Sequence, residues 1–374
     1  MIPYGKQHID TDDVNGIISV LNSNFLTTGP KITEFEQAIT EYTESKYCTA
    51  VSNGTAALHL ACIAIGIKEG DEVIVPAISF VATSNSVLYC NGTPIFCDVE
   101  KHTLNIDPDK IEPLITEHTK AIITVDFAGN PCNYNKIIAI CQKYNLVLIE
   151  DASHAIGSLY MFKNKQLKIG NIADITTFSF HPVKNITSTE GGALTTNNKI
   201  YDELIKKYRS HGISVDYKMR EQTGCYNYDM EYLGFNYRLN DISCSLGITQ
   251  LKKIEYFKKR RQEIVALYNN KLSSCANIIP LVYCKDTMPH IYIVKVNNRD
   301  NVFKLMRDRG INVNVHYKPI YLHSYYRNQD RYKNVICPIA EEEYNKILTL
   351  PLFVDLTNCE IDKIVSTLIE ICTN

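Results

Sequence analysis

A mainly parallel α/β sheet covered by helices on both faces, followed by a smaller α+β unit, is the architecture the sequence predicts. Three observations lead there. Short runs at residues 72–76, 121–127 and 146–151 are apolar and β-branched nearly throughout, the pattern of strands buried on both faces. Segments with helical spacing of apolar residues alternate with them, as in consecutive strand-helix-strand units. At 374 residues the chain has room for a domain of about 200–250 residues and a smaller one beside it.

In order, the pattern predicts a helix over residues 12–23, a loop at 24–30 reading NFLTTGP, and a second helix at 32–42. A strand at 49–52, a turn at 53–55 and a buried helix at 56–65 follow. Strands at 72–76, 93–98, 121–127 and 146–151 then alternate with helices at 79–89, 108–115 and 133–144. The strand at 175–180 stops at His181-Pro182, because proline has no N–H to continue a ladder. Beyond Gly192 come a short strand at 193–196 and a helix toward His211. Residues 211–232 turn polar and tyrosine-rich and read as a long loop. A long helix at 240–267 leads into the smaller unit; its stretch LKKIEYFKKRR reads as a solvated face, since apolar residues recur through it at helical spacing. Strands at 290–296 and 312–317 and a helix after Cys359 complete the chain. The expected division is residues 1–240, with the N-terminal helical segment and the candidate site, and residues 241–374.

A formal net charge of -2 gives no basic patch for nucleic acid or an acidic membrane. The opening MIPYGKQHIDTDD has no apolar run of an export signal, and nothing approaches the roughly 18 apolar residues of a membrane span. The 13 cysteines are scattered through apolar segments with no CxxC pair, which suits reduced, buried thiols in a cytoplasmic protein and no metal site.

The chemistry gathers at strand ends, where an open α/β sheet binds its ligands. Lys184 lies just past one, in ITTFSFHPVKNITSTEGG, with Ser179 and Thr187 as candidate anion donors. A lysine in a loop is ordinarily a surface charge; three other strand ends set this one apart. Ser52-Asn53-Gly54-Thr55 opens a helix, whose free N–H groups make a phosphate cup. Phe80 follows another strand and could stack on a planar ring, although most phenylalanines pack in cores. Asp151 ends a third, and a carboxylate there needs a partner such as a protonated heterocyclic nitrogen. Cup, stacking aromatic, acid and lysine together describe a site for pyridoxal 5′-phosphate (PLP): the lysine forms a Schiff base and later shuttles protons, and the acid keeps the ring an electron sink.

The segments SNGTAAL, PAISFVAT, EDASHAIG, FSFHPVKNITSTEGG and GFNYRLNDISCSLGITQL resemble the DegT/DnrJ/EryC1/StrS family of sugar aminotransferases, over a span from Tyr4 to the last helix. The resemblance implies a PLP-dependent transferase of fold type I. It implies that Lys184 carries the cofactor, that Asp151 meets the pyridine nitrogen with His154 near the ring hydroxyl, and that Phe80 stacks on the ring. Gly54, Thr55 and Ser179 would hold the phosphate. Asn236 and Arg238 would reach the cofactor of a neighbouring subunit, which makes the enzyme a homodimer with shared sites.

Within the family, MIPYGKQHI, SNFLTTGP, HTLNIDPDK and VHYKPIYLHSYYR resemble the enzymes of pseudaminic acid synthesis, which aminate a UDP-linked 4-keto-6-deoxy-N-acetylhexosamine. That likeness implies L-glutamate as amino donor. It also implies contacts to the nucleotide sugar from Tyr4, from Asn24, Phe25, Leu26 and Thr27, and from Val315, His316, Tyr317 and Lys318. Enzymes making perosamine- or viosamine-type sugars share much of the pattern. Sugar 3-dehydratases of the same fold have histidine where Lys184 stands, and a non-catalytic PLP-binding protein would have lost the lysine or the acid.

Overall fold

Six strands of a seven-stranded sheet run in one direction, so their C-terminal ends share one edge. The computed structural model describes residues 1–213, 224 and 226–373. The sheet is built from β1 (Tyr47–Val51), β2 (Glu72–Pro76), β3 (Thr93–Cys97), β4 (Thr119–Val125) and β5 (Val147–Asp151). A hairpin, β6 (Leu159–Phe162) and β7 (Lys165–Lys168), intervenes before β8 (Ile175–Ser179) and β9 (Gly192–Thr196) complete it. The order is β1-β9-β8-β5-β4-β2-β3. Neighbours from β8 through β3 pair in parallel, while β9 is antiparallel to both β8 and β1, which leaves β1 pointing the same way as β8.

Alternate strand residues feed two cores, as the period of two demands. Val73, Val75, Ile123 and Ile149 face one layer, together with the apolar helix Gly54–Ala64; Ile74, Ile122, Leu148 and Phe178 face the other. The helices are α1 (Thr11–Leu21), α2 (Pro30–Thr43), α3 (Gly54–Ala64), α4 (Ala82–Tyr89), α5 (Tyr134–Tyr144) and α6 (Lys199–Arg209). Asp10 begins α1 with a reciprocal capping box to Asp13. The Asn53 side chain caps α3 through Ala56 N. Phe35 and Ile39 of α2 carry its buried face.

A third core lies around an antiparallel sheet, β10 (Ile278–Pro280), β11 (Tyr292–Val296) and β12 (Ile347–Leu350), packed by helices Ile254–Leu272, Arg299–Asp308 and Asn358–Thr373. The N-terminal segment is tied into this part of the chain: Ile2 N bonds Gly310 O, Asn312 N bonds Ile2 O, and Leu352 N bonds Tyr4 O. That tether carries Tyr4 to the sheet edge. No helix among the described residues is long and apolar enough to cross a membrane.

Several expected elements differ. The helix expected at 108–115 is two 3-10 turns, Pro108–Lys110 and Glu112–Leu114, because Pro113 cannot supply an α-helical N–H. The long helix at 240–267 is broken at Lys253 into Asp241–Lys252 and Ile254–Leu272. The hairpin β6–β7 was not expected; it turns through Lys163 and Asn164, both at positive φ, as a two-residue hairpin turn demands. Residues 312–317 form no ladder strand; their backbone meets the small sheet at the bridge between Asn314 and Thr349, and the His316 ring reaches the Thr349 hydroxyl at 2.9 Å. Of the loop expected at 211–232, residues 214–223 and 225 lie outside the described residues.

Helix Asp241–Lys252 docks on α2 so closely that a Cβ on Gly247 would meet the Phe35 ring at 2.6 Å. Gly247→Ala should therefore destabilise the protein by about 1–3 kcal/mol through overpacking. A thermal unfolding midpoint equal to that of the unsubstituted protein would contradict this packing.

Candidate active site

At the shared edge of the parallel strands lies a cleft of about 810 Å³, within the range of small-molecule sites. Its walls include Lys184, Asp151, His154, Ser179, Gly54, Thr55 and Phe80. Tyr4, Val315, His316, Tyr317 and Lys318 line it as well. Residues separated by hundreds of positions meet there because each follows, or is tethered beside, a strand end.

Lys184 sits in a turn that His181-Pro182 starts and hydrogen bonds close: Lys184 N donates to His181 O at 2.8 Å, and Ser188 N to Phe180 O at 3.0 Å. The next residue fixes this turn from below, Asn185 Nδ2 donating to His154 O at 3.1 Å and Ile156 O at 3.2 Å. Burial lowers the Lys184 amine to about 8, and the Asp151 carboxylate pulls in the opposite direction. Asp151 is held on one oxygen by Thr83 Oγ1 (2.9 Å) and on the other by Ser153 Oγ (2.6 Å) and Ser153 N (3.2 Å). Those contacts orient the carboxylate and leave lone pairs toward the cleft.

The cup at the start of α3 depends on two close approaches. A Cβ on Gly54 would meet Ser179 Cβ at 2.8 Å, and a Cβ on Gly192 would meet Asn53 O at 2.5 Å. Glycine at both places lets β8, β9 and the helix start converge. Because Asn53 Oδ1 takes the Ala56 N–H at 2.8 Å, the Gly54 and Thr55 N–H groups are left for an anion, with the Ser179 hydroxyl beside them. Thr187 takes no part: its hydroxyl donates to Phe180 O at 3.1 Å inside the turn, a correction to the expectation of an anion donor there.

Three histidines that face the cleft are uncharged. Burial and the nearby Lys184 charge press His154 and His290 well below the usual histidine range, and His316 down to about 3. His290, Thr83, Ser153 and Glu190 are cleft or supporting residues that sequence reasoning missed. Thr83 and Ser153 lie within the quoted motifs PAISFVAT and EDASHAIG, so position relative to Asp151 was the available signal. His290 carried none, standing alone in MPHIY.

Asn24 to Thr27, Asn236 and Arg238 do not line the cleft of this chain. Asn24 to Thr27 are exposed; Thr27 bridges Asn240, while Arg238 bridges Val51 at the end of β1. Arg238 has no hydrogen bond or ion pair to a described residue, whereas its neighbour Arg209 pairs with Glu36 at 2.6 Å.

The donor set fits PLP: N–H and hydroxyl donors for a phosphate, a carboxylate for a ring nitrogen, an exposed Phe80 ring for stacking, and an amine of lowered proton affinity. Comparison with known proteins points the same way. A model of the DegT/DnrJ/EryC1/StrS aminotransferase family matches residues 7–369. The spore coat polysaccharide biosynthesis protein SpsC of Bacillus subtilis is 33% identical over 380 residues, covering 99% of this chain and 97% of SpsC. Helicobacter pylori PseC, an aminotransferase involved in the biosynthesis of pseudoaminic acid, matches with a TM-score of 0.92 at 31% identity, over 100% of this chain and 99% of PseC. A Streptococcus pneumoniae protein described as a sugar aminotransferase, in its PLP form, matches with a TM-score of 0.90 at 30% identity, over 100% of this chain and 98% of that one.

The nucleophilic fraction of an amine that loses its proton near 8 grows as pH rises through that value, since the protonated form has no lone pair. Capture of PLP by the cofactor-free protein, followed by absorbance, should therefore accelerate with pH through a midpoint near 8. A midpoint at the ordinary lysine value of about 10.4 would show that Lys184 is not desolvated.

Proposed function

The chain belongs to the DegT/DnrJ/EryC1/StrS aminotransferase family, and on that premise we propose that it transfers an amino group from L-glutamate to C4 of a UDP-linked 4-keto-6-deoxy-N-acetylhexosamine. PLP is the cofactor of this sugar aminotransferase, and when bound it supplies a ring that withdraws electrons from the substrate carbon. The observation that carries the reading is the meeting of a buried, easily deprotonated lysine with a fixed carboxylate in one cleft.

In this reading the Gly54 and Thr55 N–H groups and the Ser179 hydroxyl would hold the phosphate, and Phe80 would cover one ring face. Asp151 keeps a proton on the ring nitrogen. Lys184, once its amine is free, would carry a proton between the donor's carbon and the cofactor's C4′. Tyr4 and the segment Val315 to Lys318 receive the nucleotide sugar, with the Lys318 ammonium available to a diphosphate. Support for a pathway sugar comes from the likeness to PseC, whose role lies in pseudoaminic acid biosynthesis.

The homodimer belongs to the same proposal. A dianionic phosphate calls for a cation, and no lysine or arginine adjoins Gly54, Thr55 or Ser179 in sequence. Arg238, partly buried and without a carboxylate partner among the described residues, would supply it across the interface, with Asn236 beside it and Asn24 to Thr27 entering the partner's cleft. The enzyme would work in the cytoplasm, consistent with the free cysteines among the described residues.

Incubation with glutamate and a panel of UDP-, GDP- and dTDP-linked 4-keto-6-deoxy sugars, read by mass and NMR, should give a 4-amino product from the UDP N-acetyl sugar. Preference for a GDP or dTDP sugar would redirect the substrate to the perosamine or viosamine type. Asp151→Asn keeps the shape but loses the charge, so the half-reaction with glutamate should slow by orders of magnitude while PLP still binds. Near-normal rates would remove Asp151 from the role. Mixing inactive Lys184→Ala chains with inactive Arg238→Ala chains should partly restore activity in heterodimers, because one site then holds neither defect; verified heterodimers without recovery would sink the shared site.

A further inference from the structure

The turn after β4 holds Ala128 at φ +58 and packs Gly129 against the Met288 backbone, where a Cβ would lie 2.2 Å from Met288 O. This turn presents the Ala128 N–H to His154 Nδ1 at 3.3 Å. A nitrogen that accepts from an amide carries no proton, so the neutral ring has its proton on Nε2. An imidazolium would set two N–H groups against each other, which the backbone forbids without moving the turn. On its other side, Nε2 lies 3.2 Å from the Tyr317 hydroxyl and donates to that oxygen. The Tyr317 proton is consequently turned away from His154. Phe80, Phe127, His316 and His154 surround the phenol ring, and the open direction is the cleft.

Strand order indicates which ligand atom waits there. In PLP the phosphate arm and the hydroxyl oxygen flank the carbon that joins the lysine. The cup follows β1, Lys184 follows β8, and the sheet continues through β5, which carries His154, to β4, which carries Ala128. A phosphate held at the β1 side would therefore send the ring oxygen toward β5 and β4. Resting on the PLP assignment above, we infer that Tyr317 is a positioning residue for the cofactor ring, its hydroxyl fixed as a donor by the Ala128 and His154 relay and given to the ring oxygen. His290, its ring 4.4 Å from that of His154, forms the back wall.

A donor to the ring oxygen favours the state with most negative charge there, which is the state after the lysine-bound cofactor has lost its proton. Tyr317→Phe removes the donor and leaves Lys184, Asp151, Tyr4, His290 and His316 in place. The visible band of the PLP-loaded variant should persist, with its pH midpoint raised by about one unit, a tenfold change for one charge-assisted hydrogen bond. In cofactor-free protein labelled with 15N-histidine, His154 should show the Nε2–H form, and its Nε2 signal should move in Tyr317→Phe.

An unshifted midpoint with the band intact would overturn the inference, as would an Nδ1–H or doubly protonated His154. Loss of the visible band from the unsubstituted protein would instead strike the PLP assignment, and remove the ring oxygen as the acceptor while the histidine spectra still report the relay.

Discussion

One constraint shapes the site: a lysine amine is held out of water opposite a carboxylate that the protein has already oriented. Burial disfavours the ammonium, and Asp151 restores part of its stability, so the amine comes to rest near 8. Neither group tolerates free movement. Asn185 ties the lysine turn to the loop after Asp151, and Thr83 and Ser153 fix the acid, so both sides of the pair are pinned to the same few strand ends. The lowered proton affinity of His154, His290 and His316 comes first from their burial, and the nearby Lys184 charge adds to it.

Much of this was legible in the sequence because the fold is parallel. Strands buried on both faces announce themselves as apolar runs, and parallel pairing sends their ends to one edge, so Asp151, Lys184, Phe80 and Gly54 could be grouped before any distance was known. What escaped was chemistry carried by contacts distant in sequence. His290 enters the cleft from β11's side of the chain, and its backbone N–H meets Ala128 O at 2.9 Å, a pairing that no local spacing encodes. Pro113 stands inside the helix expected at 108–115 and limits that segment to two 3-10 turns. Thr187 has the residue type of an anion donor, but its hydroxyl is consumed by the turn that it closes.

The loops proposed to contact the substrate divide into two groups. Tyr4 and residues 315–318 reach the cleft through the tether between the N-terminus and the small sheet, whereas Asn24 to Thr27 and Arg238 stand outside it on the same chain. Amino-acid sequence reports both groups as equally related to the family. Geometry separates them, and the separation is what makes a neighbouring subunit part of the proposed site.

The central claim is that Lys184 is the residue that binds PLP covalently. Borohydride reduction of the PLP-loaded protein, followed by peptide mapping, tests it most directly: the account predicts a single phosphopyridoxyl group on the peptide containing Lys184. Label on a different lysine, with Lys184 unmodified, would contradict the account.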